Sequence, residues 1–164
     1  MEAHYMFDVP LEGVSVVYHP ENVMRAMATF RDGTTKAIFA PSDPCLATQS
    51  VLFPTDRLSS AGSFDLSPAT ISHLTFEPLD LDKFGVLCVG LEAAREGGTY
   101  PAVVSAANTI AVELFLTRQI GLQEFPGLLR AVMAAHQPVS HPSLEDILEA
   151  ERWAQEFVGL QVTY

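Results

Sequence analysis

The sequence predicts an α+β fold in which a small, mostly antiparallel sheet with a hairpin is followed by a four-helix C-terminal bundle. Three features predict it. An Asp-Gly pair, Asp32-Gly33, separates two apolar segments early in the chain. From Asp80 onward, apolar residues recur at helical spacing. With 48% hydrophobic and 18% charged residues in 164, the chain also has the composition of a globular protein with a real core.

Residues 2–7 (EAHYMF) read as the last turns of a helix, and no Ser, Thr, Asp or Asn stands before them to cap free N–H groups. Asp8 to Gly13 is a predicted turn, and the β-branched run Val14 to Tyr18 (VSVVY) a buried strand. Arg25 to Arg31 and Thr34 to Ala40 flank Asp32-Gly33, which predicts a tight hairpin with both turn residues at positive φ and a sheet of at least three strands. The proline-bounded stretch 41–54 is expected to form a short helix over that sheet. Residues 55–73 are rich in Ser, Gly and Pro and read as a linker, followed by an extended piece at Leu74 to Phe76.

The first bundle helix places Phe84, Leu87, Cys88 and Leu91 on one stripe and ends at Gly97-Gly98. The second opens at Thr99, the expected N-cap, with Val103, Ala107, Ile110, Ala111 and Leu114 as its main stripe. So much of its surface is apolar that the other helices must surround it. A third helix, roughly 124–136, carries Phe125, Leu128, Leu129, Val132 and Met133 on one side. The fourth starts at a capping-box pattern, Ser143 to Asp146, and runs through Ile147, Leu148, Ala154 and Phe157. Short connections favour a bundle. The expected division is 1–60 for the sheet part, 61–78 for the linker and 79–164 for the bundle.

Charge narrows the partners. Twenty acidic residues against nine basic ones give a net charge of −11, and the bases never cluster. Nucleic acid and anionic membrane both require clustered positive charge, so neither is an expected partner. No 18-residue apolar run and no basic leader occur. Cys45 and Cys88 lack any metal or redox spacing and read as buried thiols of a reducing compartment, which makes the cytoplasm the expected location.

Chemistry-bearing residues are sparse. The five histidines never fall at i, i+4, so no metal is expected. His136 reads as a helix-end residue, and Glu145, Asp146, Glu149 and Glu151 lie near a helix N-terminus or on a solvated face. Gly97-Gly98 follows a helix, so helix termination explains it better than phosphate binding. His19, with Pro20, Glu21 and Asn22, ends an apolar strand, a position where site residues are often placed.

Several blocks, taken in order, resemble one family. They are EAHYMF (2–7), VVYHP (16–20), DGT (32–34), Asp43, FPTDR (53–57), LTFE (74–77), EAAREGGTYPAVVSAANTIAVELFL (92–116), IGL (120–122) and SLEDILEAERWAQE (143–156). Together they resemble the C-terminal half of 1-deoxy-D-xylulose 5-phosphate reductoisomerase. The resemblance implies the end of a central catalytic and dimer-forming domain followed by a helical bundle. It also implies an isoprenoid-precursor enzyme that uses NADPH and a divalent cation, Mg or Mn, in its full-length form.

The same resemblance implies that the dinucleotide domain, the acidic metal ligands and the phosphate-binding serines belong before Met1, and that Glu2 is not a ligand. For this chain it therefore implies no cofactor, no metal and no firm catalytic residue, with His19 and Asp43 the candidates. The family pattern HPQS-x-x-HS stands here as HPENVMRA (19–26), PDMR as SDPC (42–45) and NAAN-E as SAANT (105–109). Three expectations follow: a homologue inactive alone, a half-enzyme completed by a separate chain carrying the N-terminal half, or a non-catalytic scaffold. A homodimer through the N-terminal sheet is the expected assembly.

Overall fold

The computed structural model describes residues 1–41, 43–56 and 72–161. The middle of the expected linker, 57–71, lies outside the described residues. The chain divides into two compact units, one made of Met1–Ser15 with Asp80–Tyr164 and the other of Val16–Leu79.

The first unit is helical. Helix α1 (Glu2–Phe7) has no side-chain cap, as its sequence implies, and ends at Asp8 with φ +52°. After α2 (Pro44–Leu52), which belongs to the other unit, four helices form the bundle: α3 (Gly85–Glu96), α4 (Tyr100–Leu116), α5 (Phe125–Ala135) and α6 (Leu144–Gln161). Helix α4 packs against α3, α5 and α6, as a helix with so little polar surface must. Its Val103, Val104, Ala106 and Ala107 are buried in one cluster with Val89 and Ala93 of α3, Leu129 and Val132 of α5, and Ala150, Ala154 and Val158 of α6, and its Ala111 is buried as well.

Two stripes differ from expectation. In α3 the buried residues are Val89, Ala93 and Ala94, while Phe84 is exposed and Leu87, Cys88 and Leu91 are half-buried. The helix is apolar on two sides, and small Ala93 and Ala94 allow a closer approach to the alanines of α4 than a leucine stripe would. In α6, Leu148 is exposed and Ala150 takes the core position, for the same reason. The start of α6 is the predicted capping box: Ser143 Oγ accepts from Asp146 N–H at 3.2 Å, and the Asp146 carboxylate accepts Ser143 N–H at 2.8 Å and its hydroxyl at 2.7 Å.

The described residues of the second unit hold four strands and one helix. Strand β1 (Val17–Tyr18) pairs antiparallel with β4 (Glu77–Pro78), and β2 (Met24–Thr29) pairs antiparallel with β3 (Thr35–Phe39). The described strands thus form two two-stranded ladders and not one three-stranded sheet. The VSVVY run supplies only two strand residues, and Val16, Val17 and Tyr18 are exposed.

The β2–β3 hairpin forms where expected, but its turn differs. Phe30 N–H donates to Thr34 O at 2.8 Å and Gly33 N–H to Phe30 O at 3.0 Å, closing a three-residue loop. Only Gly33 in that loop has positive φ, +83°. Asp32 avoids it because its carboxylate accepts both the backbone N–H and the hydroxyl of Thr34, at 2.9 and 2.6 Å. These bonds, the hydroxyl's first, hold the Asp32 carboxyl below its ordinary pKa.

Helix α2 (Pro44–Leu52) confirms the expected short helix.

Candidate functional site

His19 ends β1 and enters a tight turn in which Asn22 N–H donates to His19 O at 3.1 Å. Asn22 has φ +52°, a conformation asparagine tolerates better than most residues. Its side-chain oxygen accepts from Arg25 Nη1 at 3.0 Å, and Arg25 Nε donates to Ala40 O at 3.2 Å, tying the turn to the end of β3.

The His19 ring is held on three sides. Its Nδ1 lies 2.8 Å from Thr75 O and 2.9 Å from Glu21 Oε2, so an Nδ1–H donates between a carbonyl and a carboxylate. The Phe76 ring stacks on it at 4.9 Å between centroids. Thr75 answers by donating its N–H to both Glu21 oxygens, at 3.1 and 3.2 Å. Residues 19–21 and 75–76 therefore form a reciprocal clasp beside the β1–β4 pair. Hydrogen bonding from the Thr75 side chain, then from backbone N–H groups, and attraction to His19 hold the Glu21 carboxyl below its ordinary pKa.

The clasp leaves one atom over. His19 Nε2 is covered and has no hydrogen-bond partner, and the side chain is 7% exposed. With Nδ1 oriented by a carboxylate, Nε2 is the atom such an arrangement presents for base or ligand chemistry. Here Phe76 packs over the ring instead.

Asp43, the other candidate, caps α2. Its carboxylate accepts Cys45 N–H at 2.9 Å, with Pro44 in the first turn. Hydrogen bonding to the same carboxylate, reinforced by its charge, raises the Cys45 thiol pKa. Cys45 is exposed and Cys88 half-buried, so the expectation of two buried thiols does not hold.

Among the described residues no three His, Cys, Asp or Glu side chains converge as metal ligands. The described residues therefore do not fit a divalent cation. Gly97 and Gly98, with φ +70° and +55°, close α3.

Sequence reasoning singled out His19 but missed its partners. Glu21 lies two residues away and could have been paired with it through the turn. Thr75 and Phe76, more than fifty residues downstream, carry no local signal of their role.

A second polar cluster escaped it altogether. Thr99 stands at the N-cap position of α4 but makes no side-chain cap bond. Pro101 offers no N–H, and the hydroxyl is used elsewhere: Oγ1 lies 2.6 Å from His136 Nε2 and accepts Val139 N–H at 3.1 Å. His136 also borders a cleft of about 330 Å³ lined by Val139, Asp146, Glu149 and Trp153.

Comparison with known proteins covers nearly all of this geometry. The family model for the DXP reductoisomerase C-terminal domain matches residues 39–157. The 1-deoxy-D-xylulose 5-phosphate reductoisomerase of Thermomicrobium roseum is 42% identical over 169 residues, spanning 100% of this chain and 44% of the relative. That of Halothermothrix orenii is 38% identical over 94% of this chain and 40% of its own length.

Among solved structures, the reductoisomerase from Zymomonas mobilis in complex with NADPH superposes with a TM-score of 0.86 at 27% identity, over 99% of this chain and 43% of that one. A DOX-P reductoisomerase in complex with NADPH, fosmidomycin and magnesium gives 0.86 at 26% identity, over 99% and 42%. The chain spans less than half the length of the curated relatives it matches.

No helix among the described residues is long and apolar enough to cross a membrane.

Proposed function

We propose, from the premise that this chain belongs to the DXP reductoisomerase family through its C-terminal domain, that its 164 residues serve the conversion of deoxyxylulose phosphate to methylerythritol phosphate as supporting structure and turn over no substrate by themselves. Residues 1–60 correspond in this reading to the end of the central domain, 61–78 to a linker and 79–164 to the C-terminal bundle. The reaction takes place in the cytoplasm.

The observation that carries the reading is coverage: the whole chain aligns with 44% of its Thermomicrobium roseum relative. The chemistry of the residues agrees. The His19 imidazole is held by Glu21 and Thr75 under Phe76, and Asp43 is committed to a helix cap. Neither is presented to a substrate.

A direct assay tests this. Purified chain is incubated with deoxyxylulose phosphate, NADPH and Mn²⁺ while NADPH absorbance is followed. The absorbance is expected to stay level, and steady turnover by this chain alone overturns the proposal.

A second reading is favoured by exposed apolar side chains. Tyr5, Met6, Phe7, Val17, Met27 and Phe30 all lie open in the isolated chain. A separate chain supplying the N-terminal half, or a second copy joined through the strands as a homodimer, would cover them. Sedimentation of the chain alone, then with the matching N-terminal half of a relative, separates the two. A scaffold without catalysis predicts a dimer and no activity on mixing.

A further inference from the structure

The helical bundle contains a second arrangement that the proposed function does not use. The segment 136–140 runs from the end of α5 toward α6 and lies along the turn that opens α4. Thr99 N–H donates to Val139 O at 3.2 Å, and Val139 N–H donates back to Thr99 Oγ1 at 3.1 Å. Gly98 sits so close beneath that a Cβ there would run into the Val139 carbonyl oxygen. The third connection is between Thr99 Oγ1 and His136 Nε2, 2.6 Å apart.

Proton counting assigns that third bond. The Thr99 oxygen carries one proton and two lone pairs, and one lone pair takes Val139 N–H. Thr99 is 0% exposed, so water does not reach its hydroxyl proton. Its acceptor is His136 Nε2, which must then be unprotonated. The ring is neutral, with its proton on Nδ1. An imidazolium would place a second N–H against the same oxygen and leave the hydroxyl proton buried without an acceptor.

We propose that the Thr99–His136 pair is a proton-controlled latch. Neutral His136 holds the 136–140 strap on the Gly97–Thr99 turn, and protonation of the ring releases it.

The surroundings set the window. The ring lies between Tyr100 at 5.6 Å and Trp153 at 5.1 Å. The titratable groups around it are Tyr100 at the start of α4 and Asp146 and Glu149 on α6, which line the adjoining cleft. Of the two carboxylates, Asp146 is already engaged by Ser143. Burial of the ring lowers the His136 pKa from its ordinary 6.5.

A lowered folded pKa means the unfolded state binds the proton more readily. The latch is therefore fully closed above the unfolded value and is lost as pH falls from there through the folded value. The strap leads directly into the Ser143 cap of α6, so release loosens the connection between α5 and α6.

The test uses the full chain. Trp153 is its only tryptophan, which makes fluorescence a local reporter of the neighbouring ring. Long-range proton–nitrogen correlation at pH 7.5 should show His136 Nε2 without a proton. Lowering the pH should change Trp153 emission reversibly with a midpoint below 6.5, and speed Val139 amide exchange about tenfold beyond the intrinsic pH trend. His136→Gln should abolish the emission change, and Thr99→Val should move the midpoint up toward 6.5.

A proton on Nε2 at pH 7.5 overturns the latch, as does a Val139 amide that stays protected while the ring titrates. Both readings need only the native chain, so a variant that fails to fold leaves the proposal exposed to disproof.

Discussion

The two compact units hold together by different means. Every fully buried residue among those described lies in the helical unit, between Val89 and Val158, and the strand unit has none. The bundle buries an apolar core among its own helices, although Leu116, Leu144 and Leu160 remain exposed. The strand unit leaves Met27, Ile38, Val51 and Leu52 exposed and is tied by polar bonds at its turns: Glu21 and His19 on Thr75, Arg25 on Asn22 and Ala40, Asp32 on Thr34. Burial of apolar area is the dominant favourable term in folding. The bundle accordingly carries the fully buried apolar area among the described residues, and the strand unit leaves its large apolar side chains open.

The largest test of this contrast sets two truncations side by side. Leu129 is 0% exposed at the centre of the bundle, and Leu129→Ala should destabilise the chain by about 2–5 kcal/mol through the cavity it leaves. Ile38 is 63% exposed on β3, and Ile38→Ala should change stability by less than about 0.5 kcal/mol. Urea unfolding measures both. Comparable losses would mean the strand unit has a core after all, as it would if the chain dimerises through it.

Glycine substitutions repeat the contrast at a smaller scale. Gly98 has φ +55° and lies against Val139, so Gly98→Ala adds a steric clash to an unfavourable backbone conformation. A loss of about 2–4 kcal/mol is expected, above the strain term alone. Gly33 has φ +83° but nothing within 4 Å of an added Cβ, so Gly33→Ala should cost only about 1–2 kcal/mol. Equal shifts in thermal midpoint would show that the Gly98 contact yields easily.

The same contrast governs what could be read from the sequence. Helix positions, the α4 stripe and the Ser143 capping box are local patterns, and the structure keeps them. The buried stripe of α3 was misplaced because Leu87, Leu91, Val89 and Ala93 are all apolar. Choosing between the two sides depends on how closely the neighbouring helix approaches, which periodicity does not encode. VSVVY looked like a buried strand because β-branched residues usually mark one, but burial belongs to an assembly and pattern belongs to a chain. At the candidate site only His19 was legible, since Thr75 and Phe76 reach it through the fold. Thr99 fits the pattern of a cap, but Pro101 removes one of the N–H groups a cap would serve and the hydroxyl bonds His136 and Val139 instead.

Removing the α6 cap tests the bundle at its edge. Ser143→Ala deletes the hydroxyl that accepts Asp146 N–H and donates to its carboxylate, with an expected loss of about 1 kcal/mol in urea. The Asp146 carboxyl is held below its ordinary 3.8, first by the Ser143 hydroxyl and then by its N–H. The stability it contributes is present above 3.8 and disappears as pH falls through the folded value. In the Ser143→Ala chain that acid-dependent part should shrink, and an unchanged acid limb would show that the box does not form in solution.

The smallest effect belongs to the clasp of the strand unit, where Glu21 and Thr75 are open to water. The Glu21 carboxyl lies below its ordinary 4.5, with the Thr75 side chain the first cause. Its contribution is therefore complete above 4.5 and fades as pH falls through the folded value. Thr75→Val removes the hydroxyl while keeping the shape and the backbone N–H that also reaches Glu21. The Glu21 midpoint, followed by carboxyl carbon NMR, should rise toward 4.5 without returning fully to it, because that N–H and His19 remain. His19 Nδ1 should keep its proton between Glu21 and Thr75 O, since the carbonyl is untouched. A midpoint that does not move would place the bond with the backbone alone. A midpoint that returns completely would mean the clasp opens when one hydroxyl is lost, and that the strand unit is held more loosely than its hydrogen bonds suggest.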